Sequence, residues 1–371
     1  RIPTVIWLLA MGWGLQQFTQ FAQIKVPELN GILPLFGTIG LILIVLEGAL
    51  DLKLSKRAIP LISSAFLMSL LPFIAFTGLF AWALVEVEQT TWRIAILNAL
   101  PFAIISSAIA IPSVKNFKVR IRAFITYESS ISDIIGVLVF NFILINKVYN
   151  FQSVLGFFGQ ILVVFVLSIV LSIVLSFLLS RMSNHVKYGP ILLLILLLYS
   201  LSKLWHLPGL IFILIFGLAL SNLHLFKEWR IARFFQPEKI PQEIKQFSDI
   251  VAEATFLIRS LFFVLFGFMI QTEDLLNLNT LPWSVGLMAL LFSLRFLFLL
   301  LTRQNLSPYL FVAPRGLITI LLYLSIPVSF QLRTVNQALI IQVILCSILV
   351  MMLGLIFHKE PVQNIPPNET P

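Results

Sequence analysis

The sequence predicts an all-α protein that crosses a membrane about twelve times. Three observations predict it. Of the 371 residues, 59% are hydrophobic and only 11% charged, against roughly 25% charged in a soluble domain. No interior could hide that much apolar surface from water, so lipid must act as part of the solvent. Apolar runs at or beyond the ~20 residues needed to cross a bilayer recur along the chain. Lys and Arg, in turn, concentrate in alternate loops, as positive-inside sorting requires.

Charge and turn clusters place the candidate spans at about 3–20, 31–50, 58–85, 92–112, 119–145, 153–180, 188–204, 207–223, 249–270, 282–301, 308–328 and 335–357. The sixth, with Val163, Val164, Val166, Ile169 and Val170, is apolar all round and reads as a long scaffold helix. The stretch 224–248 carries His224, Lys227, Glu228, Arg230, Arg233, Glu238, Lys239 and Lys245, and reads as a polar connector with an interfacial helix in it. Everything up to 357 then forms one transmembrane domain. The tail 358–371, with Pro361, Pro366 and Pro367, reads as disordered.

With these spans, 17 Lys and Arg fall on one side and 5 on the other. The richer side is assigned to the cytoplasm, with both chain ends on it and the protein in the inner (plasma) membrane. The split supports the count of spans, because one missed helix would scramble it. The net charge of +9 has the same origin, basic cytoplasmic loops beside anionic lipid. No aromatic-basic motif points to nucleic acid. The single Cys346 excludes an internal disulfide and a cysteine zinc cluster. The chain opens on Arg1 without a methionine, which suggests a segment missing in front, and no signal peptide is readable.

Loops account for 22 of the 25 basic residues and leave Arg259, Arg295 and Arg315 inside spans. Glu128 and Asp133 lie inside the fifth, at depths of roughly 12 and 20 Å from Arg120 at 1.5 Å per residue. A charge at such depth costs about 2.5–3.5 kcal/mol on insertion scales, so it faces the protein interior and has a partner. Two readings stay open: all five form a scaffold network, or one carboxylate is left over for a transported ion. Five residues apart, Glu128 and Asp133 point about 140° from each other on a helix and cannot share a partner. Thr126, Ser129, Ser130 and Ser132 put hydroxyls beside them in an otherwise apolar run. Such hydroxyls either bond back to the helix or line a hydrated ion site.

Two spans look interrupted. In the fourth, Pro101 and Pro112 bracket Ser106 and Ser107; in the eleventh, Pro308, Pro314 and Pro327 surround Arg315 and Thr319. Interior proline removes a backbone bond, and freed backbone at membrane depth is tolerated only where it lines a cavity or is buried in protein. The two spans run in opposite directions, and such a pair marks an inverted-repeat transporter with its site at the crossing.

These residues carry a resemblance. Tyr127-Glu128-Ser129-Ser130-Ile131-Ser132-Asp133 resembles the Glu-Ser-x-x-Asn-Asp signature on the fifth core helix of sodium/proton exchangers. Pro314-Arg315-Gly316-Leu317 resembles their Leu-Arg-Gly-Ala stretch, Leu46-Glu47-Gly48-Ala49-Leu50-Asp51 their Glu-Gly-Gly-Leu segment, and Ser106-Ser107 falls at their Ser-rich break. The resemblance implies thirteen helices, the first absent from this chain, and two crossed discontinuous helices in a core of about 58–145 and 249–328, with 335–357 as repeat partner. It also implies a dimerisation domain, hence a homodimer, and elevator-type alternating access. By the same match Asp133 takes the cation or proton, with Ser132, Ser129, Ser107 and Ser106 around it. Glu128 pairs with Arg295, and Arg315 completes the structural charges. Three departures stand out. Ser132 replaces an Asn or second Asp. Ser106-Ser107-Ala108-Ile109 lacks a Thr-Asp and is closer to potassium/proton relatives. Arg259 is an extra charge, read as a second partner for Glu128 or Asp133.

The expected function is therefore exchange of a monovalent cation for H+, with Na+ favoured over K+ or Li+, electroneutral, no cofactor, and a role in pH homeostasis. A channel or organic-solute transporter is the second class, but no selectivity-filter loop is present. A membrane-embedded enzyme is the third. His185, His206, His224 and His358 lie far apart, and neither His-Glu-x-x-His nor Gly-x-Ser-x-Gly occurs.

Overall fold

The computed structural model describes residues 4–24, 32–52, 59–146, 156, 159–160, 162–171, 188–204, 209–222 and 240–357. Its helices are α1 (Thr4–Phe21), α2 (Ile32–Asp51), α3 (Ile59–Glu88), α4 (Trp92–Ala103), α5 (Ser107–Ser113), α6 (Val119–Ile145) and α7 (Leu162–Leu171). After them come α8 (Tyr188–Leu204), α9 (Gly209–Ser221), α10 (Ile240–Met269), the single turn α11 (Thr272–Leu275), α12 (Leu281–Leu301), α13 (Leu317–Leu324) and α14 (Gln337–Phe357). No strand occurs among the described residues. Six elements are long and apolar enough to span a membrane: α3, α4 with α5, α6, α10, α12 and α14. The protein is an all-helical, multi-pass membrane protein.

Two boundaries differ from the sequence reading. Helix α10 begins at Ile240, nine residues before the predicted 249, because Gln242, Glu243, Lys245 and Gln246 form the polar first turns of an amphipathic helix and not a connector. The predicted helix 308–328 shrinks to Leu317–Leu324, preceded by a non-helical stretch and followed by a short 3-10 turn, Val328–Phe330. The sixth span is described only around Leu162–Leu171. Most of the predicted connector, the tail 358–371 and all four histidines lie outside the described residues.

The chain divides into two compact units. The first comprises Arg1–Lys25, Pro60–Asp133 and Phe266–Pro371; the second comprises Val26–Ile59 and Ile134–Leu265. Within the second, α9 lies along α2. A Cβ on Gly217 would come 2.7 Å from that of Ala49, so only glycine permits this approach. Ser221 and Asn222 close the end of the pair by donating to the carbonyls of Leu50 (2.6 Å) and Leu52 (2.8 Å).

Within the first unit, the span Trp92–Ser113 has 83% of its most apolar window buried, against 28% for Ile59–Glu88. The broken element is thus enclosed by protein, where irregular backbone can be satisfied. Phe73, Phe76 and Phe80 of α3 and Phe102 of α4 are all buried, and Phe80 meets Phe102 edge-on at 5.7 Å. Buried Gln342 of α14 accepts from Thr280 (3.0 Å) and donates to the carbonyl of Asn277 (3.1 Å), fixing the entry to α12.

Candidate functional site

Every site residue predicted from sequence falls in the first unit: Ser106, Ser107, Glu128, Ser129, Ser132, Asp133, Arg295 and Arg315. All eight are buried. The geometry follows from how two chain breaks settle their backbone groups.

The first break is Ile104–Ser106, between α4 and α5. Pro101 has no N–H to continue the last turn of α4, and Ile104 and Ser106 are extended (φ −82°, ψ 133° and φ −75°, ψ 110°). Three of the freed N–H groups and two carbonyls find partners. Ile105 N donates to Ser132 Oγ (3.0 Å), Ser106 N to the carbonyl of Pro314 (2.8 Å), and Ser107 N to Asp133 Oδ2 (3.3 Å). The carbonyls of Phe102 and Ala103 accept from Arg315 (2.8 and 3.4 Å).

The second break runs from Val312 to Gly316, ahead of α13. Here Arg315 N donates to Ser347 Oγ of α14 (2.9 Å), while the Arg315 side chain also bonds the carbonyl of Ala313 (2.6 Å). The two breaks touch directly, through the Ser106–Pro314 bond and at Gly316. A Cβ on Gly316 would stand 2.6 Å from Ile109 Cδ1 and 2.8 Å from Ser106 Oγ. Gly316→Ala is expected to force the breaks apart and cost about 1–3 kcal/mol of stability, measured by thermal unfolding in detergent.

The two acids of α6 have separate surroundings. Glu128 takes Arg295 in a bidentate pair, Nη1–Oε1 2.7 Å and Nη2–Oε2 2.9 Å, the strongest geometry for such a contact. Arg295 also donates to the carbonyls of Tyr309 (2.8 Å) and Val312 (3.2 Å), so one guanidinium joins α6, α12 and the approach to the second break. Asp133 has no arginine partner among the described residues. Its Oδ1 is buried and makes no hydrogen bond; the same is true of Ser106 Oγ and Ser130 Oγ. A carboxylate oxygen buried without a partner is expensive, and here two hydroxyls share that condition.

The predicted residues thus separate into groups. Glu128 and Arg295 come together. Arg315, grouped with them from sequence, puts its described side-chain hydrogen bonds on carbonyl oxygens. Ser132 and Ser107 meet the first break and Asp133, whereas Ser129 Oγ donates back to its own helix at Ile125 O (2.7 Å). Arg259, read as a partner for Glu128 or Asp133, belongs instead to the second unit, where its charge acts on Glu47, beside Thr255 and Asp51. It sits on the α10 face that meets α2, and its position in sequence alone could not say which acid that face meets.

Three residues escaped the sequence reading. Ser69 Oγ, fully buried on α3, is shared between the carbonyls of Ala65 (2.8 Å) and Glu128 (2.7 Å). Ser347 caps Arg315 N, and Asn98 bonds the chain beyond α13. Their common signal was an uncharged polar side chain in an apolar span.

Comparison with known proteins agrees with this architecture. The sodium proton antiporter MjNhaP1 of Methanocaldococcus jannaschii, in a structure at pH 8, superimposes with a TM-score of 0.73 at 21% identity, over 96% of this chain and 93% of that one. An electron-microscopy map of the same protein gives 0.70 at 20% identity, over 97% and 93%. At these identities the likeness is one of fold. No curated protein sequence matches the chain. The family model described as sodium/hydrogen exchanger, transmembrane, matches residues 1–359. With nearly the whole chain matched, this protein belongs to the sodium/hydrogen exchanger family.

Proposed function

We propose that the protein exchanges a monovalent cation, Na+ before K+ or Li+, for H+, and that Asp133 is the group for which the two compete. One observation carries the reading. A buried carboxylate keeps one oxygen free, beside a chain break whose Ser106 hydroxyl is also free. Cation-bound or protonated, Asp133 is locally neutral and can pass a low-dielectric barrier; the bare anion is costly to move. Exchange follows from that restriction without any further gate. Ser107 and Ser132 position the carboxylate and the break, and the Glu128–Arg295 pair is structural.

With Glu128 neutralised by Arg295, one acid of the site remains to titrate, so the cycle is one cation for one proton and electroneutral. The opposed breaks are read as crossed discontinuous helices of an inverted repeat, and alternating access as elevator-type. A homodimer in the plasma membrane, with a cytoplasmic C-terminus and a role in pH homeostasis, completes the reading. K+ is the second candidate, because Ser132 stands where sodium exchangers carry Asn, and Ala108-Ile109 where many carry Thr-Asp.

The test is proton flux in proteoliposomes with a pH dye, against a panel of Na+, Li+ and K+. Na+-driven alkalinisation that is unchanged when the membrane potential is clamped is the expected result. Flux with K+ alone would move the protein to the potassium reading. No cation-driven flux, or flux that follows the potential, would overturn the proposal.

A further inference from the structure

We infer that Asn98 is a positioning residue for ion exchange: it holds α4 against the chain that leaves α13, and so sets where the Ser106 and Ser107 peptides stand. The inference rests on the exchange reading above.

Asn98 is fully buried in the middle of α4, where Arg93 is the only other charged or amide side chain. An amide there is costly unless its donors and acceptor are bonded, and they are. Asn98 Nδ2 donates to the carbonyl of Phe330 (2.7 Å) and to that of Ile94 in its own helix (2.9 Å), while Oδ1 accepts from Leu332 N (3.3 Å). Two of the three bonds therefore reach a segment more than 230 residues away in sequence.

That segment is the exit from α13. Around it lie two further ties to the same region: the Arg93 guanidinium stands over the Phe330 ring at 5.1 Å, and Glu88 accepts from Thr334 N (2.7 Å) and Arg333 N (3.2 Å). Those ties lie nearer the surface, where such contacts contribute little. Asn98 makes the buried one, and losing it leaves polar groups unpaired inside the protein.

From Asn98 the helix continues to Ala103, about 7.5 Å at 1.5 Å per residue, and passes straight into the break. Helix α4 is therefore pinned at two points: at Asn98, and where Phe102, Ala103 and Ser106 bond the second break. Two pins fix its direction as well as its place. Release of the first leaves the helix free to pivot about the second, and the Ser107 peptide N–H that faces Asp133 turns with it. The cation then meets a carboxylate whose neighbours have moved, so affinity falls while the transport step itself is largely spared.

The experiment compares cation/proton exchange by wild-type protein, Asn98→Leu, Asn98→Ala and Glu88→Gln in proteoliposomes. Glu88→Gln loosens the same connector from its outer side without touching α4. Expected is a five- to tenfold rise in KM for Na+ in either Asn98 variant, a maximal rate within about twofold of wild type, and an unchanged KM in Glu88→Gln. A folded Asn98 variant with wild-type KM overturns the inference. So does an equal rise in Glu88→Gln, which would assign the effect to the connector, or failure of both Asn98 variants to fold, which would make the residue structural only. Absence of exchange by the wild type would sink the functional reading itself, a separate outcome.

Discussion

Asp133→Asn reduces cation-driven proton flux to the level of protein-free vesicles while the protein remains folded and as heat-resistant as the wild type. Asparagine keeps the shape and an oxygen to accept from Ser107 N, so the break stays in place. It removes the one property the proposal needs, a charge that either a proton or a cation can cancel. Because Asp133 has no arginine partner among the described residues, its neutralisation strands no buried cation. It also removes a carboxylate oxygen that has no hydrogen bond. Wild-type protein should show the same competition from the other direction: acidification raises the KM for the cation because protons occupy the carboxylate. Dye-based flux and thermal unfolding on the same preparation decide the matter. Near-normal flux in Asp133→Asn would remove Asp133 from the mechanism.

Five residues earlier on the same helix, the opposite outcome is expected. Glu128→Gln and Arg295→Met should each cost about 3–5 kcal/mol of stability, because each leaves a buried charge without its counterpart. Arg295→Met adds a second injury, since the carbonyls of Tyr309 and Val312 lose their donor ahead of the second break. The double variant should cost less than the sum of the two, as no lone charge remains. Unfolding temperature and yield of the three variants measure this. Additive losses would mean that the bidentate pair contributes nothing as a pair. That contrast is what the proposal requires: one acid of α6 for stability and the other for transport, set about 140° apart on the helix.

Much of this was legible in the sequence for physical reasons. Long apolar runs show where lipid is the solvent, and the prolines at 101, 112, 308 and 314 show which two spans are interrupted. The extent of each break was less readable. Pro101 and Pro112 both lie inside helices, and the non-helical residues fall between them; after Pro308 the chain stays non-helical as far as Gly316. Proline reports a missing donor, whereas the length of the break depends on partners elsewhere, here Ser132, Ser347 and Arg315. Pairing was legible for Glu128 and Arg295 only through a family resemblance. Arg259 illustrates the limit, because composition marks it as an intramembrane charge but only packing sets it beside Glu47. Asn98 and Ser69 went unread because a lone amide or hydroxyl in a greasy helix does not reveal whether it bonds its own turn or a distant strand of chain.

The bond between the two breaks runs from one peptide group to another, Ser106 N to Pro314 O. A main-chain weld is blind to which side chains flank it, provided position 106 keeps its N–H. Exchange of the Ser106 and Ser107 side chains for other small groups therefore leaves that bond in place. Ser132 has no such freedom, because its oxygen receives the Ile105 N–H, and any substitute there must also offer an acceptor. Under the proposed function, ion preference can thus drift at 106 and 107 while 132 is confined to a narrow chemical alphabet.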